Sequence, residues 1–409
     1  MPKSGSFLKG SLILLISFNI FNVLNFLYNF AMARILSVAE YGALASIMAL
    51  LILISMPSDA IQNTITKYVN LNNSPGKIKN ILRKSLRKAF LLSLMVFALY
   101  AVVAIPLSGY LNIGYFALAT GGLMIFASML SPVTRGALLG EKKFNALGWN
   151  MIVEGVLKIV LGVLLVLFFT SIGWSIFRLH GALLGAVAGA LFAFLLTFVS
   201  LKKIFFTREE KADVRHIYGY ARPAFFVTLA IFAFIGLDIL VARAVFDPDT
   251  AGAYAIASVL AKIIFYGTIP VSRAMFPLSS EQANQKKNPR KILFYSSFMV
   301  LGLTVIAMVV LWLFPQALIY LFSGKDIPMA KNILFYLGLA TSLLSLANLF
   351  LIYRLSLGKI RRPYLLMAFV ILEVGLLFYF SQTILSFSLA FLSAAIIFLI
   401  GSIIIALYG

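Results

Sequence analysis

Residues 33–46 read ARILSVAEYGALAS, and residues 242–258 read ARAVFDPDTAGAYAIAS. Each begins with Ala-Arg at the end of an apolar run. Each then passes through a short acidic connection into a glycine and a series of small residues. The two arginines, Arg34 and Arg243, are 209 positions apart. Further matches follow in order: Pro57 with Pro270, Gly140 with Gly358, and Glu154 with Glu373, at offsets of 213, 218 and 219. Slowly rising offsets are what small loop insertions leave in a duplicated chain. The sequence therefore reads as two copies of one unit.

Composition says what kind of unit. Of 409 residues, 62% are hydrophobic and 11% charged. So little charge cannot cover a soluble domain of this length, and the chain reads as a polytopic helical membrane protein. Apolar runs fall at about 10–32, 42–68, 89–107, 113–134, 147–169, 180–201, 223–245, 251–272, 292–314, 331–353, 364–382 and 385–407. Each is long enough to cross a hydrocarbon core of about 30 Å with some tilt. Six runs separate each matched pair. That even number gives the two halves the same orientation, related by an axis along the membrane normal. The expected fold is all-α, with about 12 transmembrane helices in two parallel-related six-helix bundles around a central cavity. The expected boundaries are an N-terminal bundle over 1–201, a cytoplasmic linker over 202–222 and a C-terminal bundle over 223–409. Ala31-Met32-Ala33 resembles a small-x-small cleavage pattern, but the apolar stretch before it is too long for a signal peptide, so the first span reads as retained.

The net charge of +21 takes its meaning from its placement. With twelve spans, 27 of the 34 basic residues fall on one side. Arg34, Arg178, Arg243, Lys325 and Lys331 fall on the other, and Lys158 and Lys262 lie within spans. The positive-inside rule makes the basic side, and both termini, cytoplasmic. Anionic lipid headgroups account for the charge as partners, and nucleic acid is not needed. The chain has no cysteine, which excludes disulfides and thiolate chemistry. Its two histidines, His180 and His216, fall in different predicted loops on opposite sides, so a histidine metal or catalytic site is not expected. No G-x-x-x-x-G-K-[ST] pattern occurs.

Ionisable and amide side chains inside spans are costly in hydrocarbon and read as functional by default. Asn19, Asn22, Asn25 and Asn29 share one face of the first span. They either bond to neighbouring helices or line a cavity, where Asn22, Asn25 and Asn29 would bind ligand hydroxyls or water. Glu154 and Lys158 stand at i, i+4 on the fifth span and can pair. The alternative is a cavity cation for a substrate phosphate beside a titratable acid. Lys262 has no acidic partner at helical spacing. It either faces an anionic substrate or is held from another helix by Glu373 or Asp238. Asp238 could take a coupling Na⁺ or H⁺, or tie helices together. Asp59 follows Pro57, where a kink frees a backbone carbonyl, a further candidate for a coupling ion. Arg135 and Arg273 near the cytoplasmic mouth suit an anionic headgroup, and snorkelling to the interface suits them somewhat better. Arg34 reads as an interfacial anchor. The run GALLGAVAGALFA over 181–193 allows close helix approach.

The segments RILSVAEYGALASIMALL (34–51), AIQNTITKYVN (60–70) and RGALLGEKKFNALGWN (135–150) resemble polysaccharide-biosynthesis membrane proteins. These are lipid-linked oligosaccharide flippases of the O-antigen repeat-unit type. They belong to the superfamily that also holds multidrug and toxic compound extrusion transporters and the lipid II flippase. The resemblance spans nearly the whole chain. It implies alternating access and delivery of a polyprenyl-linked (pyro)phosphate oligosaccharide to the outer leaflet of the plasma membrane. The implied partners are that glycan lipid and glycan polymerases or glycosyltransferases. No enzymatic activity, metal or cofactor is expected beyond coupling to Na⁺ or H⁺. Many relatives carry fourteen spans, against twelve here. A cation-coupled drug exporter is the alternative, and a non-transporting member of a glycan-assembly complex is a third reading.

Overall fold

The computed structural model describes residues 4–72, 74–212, 222–285, 288–358, 360 and 362–408. Lys3, Arg215, His216, Lys286, Lys287, Lys359 and Arg361 lie outside the described residues. In chain order the helices are α1 (Ser4–Ile35), α2 (Val38–Ser55), α3 (Pro57–Leu71), α4 (Pro75–Tyr110), α5 (Tyr115–Gly122), α6 (Met124–Gly140), α7 (Phe144–Ser171) and α8 (Arg178–Ser200). They continue with α9 (Lys202–Phe206), α10 (Arg222–Val245), α11 (Pro248–Asn284), α12 (Arg290–Leu313), α13 (Pro315–Ser323), α14 (Pro328–Ser356), α15 (Leu366–Tyr379) and α16 (Ile384–Tyr408).

Among the described residues, eleven helical segments are long and apolar enough to cross a membrane. The remaining apolar segment, Pro363–Tyr379, falls on the predicted span 364–382. Its 14-residue α15 follows one 3₁₀ turn. Together they reach about 27 Å, just short of the usual core thickness. All twelve expected spans are therefore present as helix, and the chain is an all-α integral multi-pass membrane protein.

Two spans are broken in ways the apolar pattern hides. The second is interrupted at Met56, because Pro57 starts α3 at its first turn, where a missing N–H costs nothing. The matched Pro270 stays inside a continuous α11. The fourth span breaks at Leu123, directly after the Gly121-Gly122 pair, where two residues without side chains weaken the helix.

Sequence signals fix the start of the second helix in each half. Ser37 and Glu40 form a capping box: the Ser37 N–H donates to Glu40 Oε2 at 2.6 Å, and the Glu40 N–H donates to Ser37 Oγ at 3.2 Å. At the matching point Asp247 caps α11, accepting from the Asp249 and Thr250 N–H groups at 3.1 and 3.0 Å.

The chain divides into two compact units. One holds Met1–Leu36 and Ile54–Gly219; the other holds Ser37–Leu53 and Tyr220–Gly409. Within each unit the helices have the same neighbours. In the first, α7 packs on α8 and α1, and α6 packs on α3, α4 and α8. In the second, α15 packs on α16 and α10, and α14 packs on α11, α12 and α16. These pairs correspond one for one in chain order, so the repeat seen in the sequence is a repeat of packing. The equivalent helices α4 and α12 each turn a wide apolar face outward, with Met95 and Leu99 on one and Phe298 and Ile306 on the other all more than half exposed. Lipid is the solvent that suits such faces.

Glycines set the closest approaches. On α8, Gly185 and Gly189 lie against the α7 backbone at Gly162 and Lys158, and a Cβ on Gly189 would stand 2.7 Å from the Lys158 nitrogen. In the second unit α2 crosses α11 at two repeat-related glycines. A Cβ on Gly42 would stand 2.7 Å from the Gly252 Cα, and one on Gly252 would meet the Val38 carbonyl. Tyr41, fully buried, packs edge-on against Phe322 with centroids 6.0 Å apart.

The segment after α9 is fastened to α4. Glu209 accepts from Asn80 Nδ2 at 2.6 Å and Arg83 at 2.9 Å, Lys79 Nζ donates to the Thr207 carbonyl at 2.9 Å, and Ser74 Oγ donates to Glu210 at 2.7 Å. The Asn80 and Arg83 hydrogen bonds hold the Glu209 carboxyl below the usual carboxylate range.

Candidate functional site

In the first unit the polar residues gather where α1, α6, α7 and α8 meet. On α1 the asparagines mostly bond within their own helix. The side-chain amides of Asn19, Asn25 and Asn29 donate to the carbonyls four residues earlier, Leu15, Phe21 and Asn25, at 2.8, 2.9 and 2.9 Å. That satisfies one N–H each within the helix. Asn22 is half-buried and makes no hydrogen bond among the described residues.

The Asn25 amide oxygen meets Lys158. Its Nζ donates to Asn25 Oδ1 at 3.0 Å and lies 4.3 Å from the centre of the Tyr28 ring. Tyr28 is 1% exposed, and its hydroxyl donates to the Ala182 carbonyl of α8 at 2.9 Å. The ring is thus clamped between two helices, and its face supplies a few tenths to about 2 kcal/mol of cation–π attraction, more where water is excluded. Gly189 brings α8 against the backbone of Lys158 and so fixes the depth of α7. Lys158 makes no ion pair among the described residues.

The expected Glu154–Lys158 pair does not form. Glu154 instead accepts a short hydrogen bond from Arg135 of α6, whose Nε donates to Asn150 Oδ1 at 2.9 Å. Asn150 in turn donates to the Ala193 carbonyl at 2.6 Å. The guanidinium has two donors aimed at once and outcompetes an ammonium one turn away. Arg135 is therefore a braced residue inside the unit, with a side chain 14% exposed, and not a snorkelling one.

In the second unit Asp238 of α10 is fully buried and receives three donors from one face of α11. Lys262 Nζ donates to Oδ1 at 2.8 Å, and the Ser258 and Tyr254 hydroxyls donate to Oδ2 at 2.7 and 3.2 Å. The donors stand at 254, 258 and 262, a spacing of four that stacks them along the helix. Phe387 stacks edge-on against Tyr254 at 5.1 Å and holds its ring in place. Of the two partners considered for Lys262, the aspartate has it. The other, Glu373 of α15, is also fully buried, and neither carboxyl oxygen has a hydrogen-bond partner among the described residues. Asp238 and Lys262 are the charged groups that act on it. In the first half, the matched Glu154 has Arg135; in the second, Arg354 stands near the corresponding point on α14, and its Nε is buried without a partner among the described residues. The pair closed in one unit is open in the other.

The remaining candidates lie apart from these clusters. Arg273 is exposed on α11, eleven residues and about 16 Å along the helix from Lys262. Asp59 is exposed in the first turn of α3. Among the described residues no group of three His, Cys, Asp or Glu side chains could hold a metal ion. Arg243 donates to the Ala39 and Pro248 carbonyls at 3.4 and 3.1 Å, so it ties α10 to both α2 and α11. Arg34 lies 4.7 Å from the centre of the Phe30 ring.

Eleven membrane-length apolar helices with a shorter twelfth among the described residues, a duplicated packing pattern and polar residues buried in each copy describe an internally repeated multi-pass membrane protein. The family model for polysaccharide biosynthesis proteins matches residues 7–283, and that for MatE matches 223–380. The chain belongs to the polysaccharide biosynthesis protein family, within the superfamily of transporters and flippases that includes the multidrug exporters. Solved structures with the same fold include a multidrug resistance MATE family transporter of the MOP superfamily, in an inward-facing conformation. It has 12% identity and a TM-score of 0.74, over 96% of this chain and 97% of that one. The lipid II flippase MurJ, in an inward closed conformation, has 15% identity and a TM-score of 0.72, over 96% and 87%. A MATE structure in complex with MaD3S has 13% identity and a TM-score of 0.65, over 98% and 95%. No curated protein matches the chain.

Proposed function

We propose that the chain is a flippase for a polyprenyl-linked (pyro)phosphate oligosaccharide, moving it from the cytoplasmic to the outer leaflet of the plasma membrane by alternating access. The observation that carries this reading is Lys158. A cation half-buried among apolar helices, held by an amide oxygen and an aromatic face with no ion pair among the described residues, keeps its charge available for an anion. The (pyro)phosphate supplies that anion, and the amide side chains of Asn22, Asn25 and Asn29 on one face of α1 suit sugar hydroxyls. The basic side faces the cytoplasm and anionic lipid, and puts both termini inside. Glycan polymerases or glycosyltransferases are the partners that would receive the product.

Coupling is assigned to the second unit. Asp238 and Glu373 bring two carboxyls to one ammonium, so a proton or Na⁺ balances the cluster. Glu373 also favours the second reading, a cation-coupled exporter of small molecules, because its carboxyl oxygens have no hydrogen-bond partner among the described residues.

Deletion of the gene, followed by measurement of the leaflet distribution of lipid-linked glycan, separates the two. Glycan trapped on the cytoplasmic leaflet supports the flippase. Normal glycan with altered drug sensitivity overturns it.

A further inference from the structure

We infer that the recess at the connection between α12 and α14 is a carbohydrate-binding site, placed to hold the glycan as it leaves. The inference rests on the flippase reading and on its orientation, which puts this connection on the outer face. The recess has a volume of about 790 Å³ and is lined by Trp312, Phe314, Gln316, Tyr320, Asp326 and Lys331, among others.

Two kinds of surface meet there. Trp312 and Tyr320 are 67% and 60% exposed and offer flat apolar rings. Beside them runs a polar chain: Lys331 Nζ donates to Gln316 Oε1, and Gln316 Nε2 donates to Asp326 Oδ1, both at 3.4 Å. Bonds this long leave most of the donor and acceptor capacity unspent. A sugar ring presents the complement, an apolar C–H face and an edge of paired hydroxyls that donate and accept. Rings that take the face, with a carboxylate, an amide and an ammonium that take the edge, are the lining such a ligand needs. One acid and one base cancel, so the recess favours a neutral sugar over a phosphate.

The recess is also rigid. Ile319 and Phe322 anchor α13 in the core of the second unit at 1% exposure each. Gly324, in the left-handed region at φ 69°, turns the chain back, and its N–H donates to the Tyr320 carbonyl at 2.8 Å. Buried Ser323 closes the turn, its hydroxyl donating to the Ile319 carbonyl at 2.8 Å and accepting from the Lys325 N–H at 3.2 Å. A preformed wall loses little entropy on binding. Aromatic residues at a membrane surface also serve as anchors. Anchoring explains the rings but not the concavity or the Lys331–Gln316–Asp326 chain.

The test uses full-length protein in nanodiscs with Trp149→Phe and Trp174→Phe, which leaves Trp312 as the single tryptophan. Its fluorescence is titrated with chitotetraose and with the oligosaccharide released by mild acid from the host's own lipid-linked pool. The expected result is a saturable change with at least one of them at roughly millimolar Kd. Gln316→Ala and Asp326→Ala should each weaken it about five- to ten-fold with thermal stability unchanged. No change at about 50 mM of either sugar overturns the site. Strong quenching of Trp312 by lipids brominated along the acyl chain also overturns it, because the ring is then an anchor. Binding in a chain that does not flip glycan lipid keeps this site and sinks the flippase reading. Flipping without sugar binding does the reverse.

Discussion

Replacing Asp238 by Asn removes the charge and keeps the shape. The Lys262 side chain is 7% exposed and its 2.8 Å partner is fully buried, so water does not take the place of the lost carboxylate. Breaking one side of such a pair costs about 3–5 kcal/mol, most of it from the ammonium left without a counter-charge. For a cooperative unit of roughly 200 residues, each kcal/mol moves Tm by about 2–4 °C, so a fall on the order of 10 °C is expected. Lys262→Met alone leaves Asp238 buried with two hydroxyl donors and should fall by a similar amount. The double variant, with neither charge, should recover most of both losses, giving a coupling of at least about 2 kcal/mol. Glu373 is the reserve counter-ion. Asp238→Asn combined with Glu373→Gln should therefore be less stable than the sum of the two single changes. Thermal melts of detergent-solubilised protein measure all of these. Single and double changes that add within about 0.5 kcal/mol would refute the buried pair, and with it the claim that α10 and α11 are locked by charge.

Other consequences are as direct. Gly252→Val drives a branched side chain into the Val38 carbonyl and should lower expression of folded protein severalfold, read by size-exclusion of a fluorescent fusion, whereas Gly267→Ala, with open space around it, should not. Lys158→Met should cut glycan-lipid flipping at least about ten-fold while the protein still inserts; undiminished flipping in reconstituted vesicles removes this lysine from the mechanism. Asn22→Leu with Asn25→Leu should impair flipping without loss of folded protein, and normal transport returns the stripe to helix packing. The Glu209 carboxyl is held below its unfolded value, so its clasp stabilises the folded chain above the ordinary carboxylate range and is lost as pH falls through the depressed value. Limited proteolysis around residues 207–212 should accelerate once pH falls below the ordinary carboxylate range, and Glu209→Gln should be cut quickly at every pH.

Much of the architecture is legible in the chain because hydrophobic length and duplication are properties of sequence. The Arg34 and Arg243 segments place the second helix of each half and its cap, and the small residues of 181–193 mark the face that meets α7. What is not legible is which polar groups meet across helices. Glu154 turned to Arg135, nineteen residues back on α6, because rotation and depth, which periodicity leaves free, put the guanidinium within reach. The Tyr254–Ser258–Lys262 spacing was a usable signal for a single partner facing α11, and Asp238 is that partner. Tyr28 carried no such signal, since a tyrosine among asparagines looks like any interfacial aromatic until Lys158 is placed over it. The break at Leu123 was marked by Gly121-Gly122 but masked by the uninterrupted hydropathy of the span.

The grouping of Ser37–Leu53 with the second unit has a cost in time. Synthesis delivers α2 to the bilayer between α1 and α3, yet Phe322, against which Tyr41 packs, is encoded 281 residues later. At about 5–20 residues per second, α2 waits roughly 15–60 s with Tyr41 and Gly42 facing lipid or a stranger. During that interval the nascent chain is an orphan in the membrane. The packing of α2 is thus completed only after the second unit has been made, however stable the finished fold.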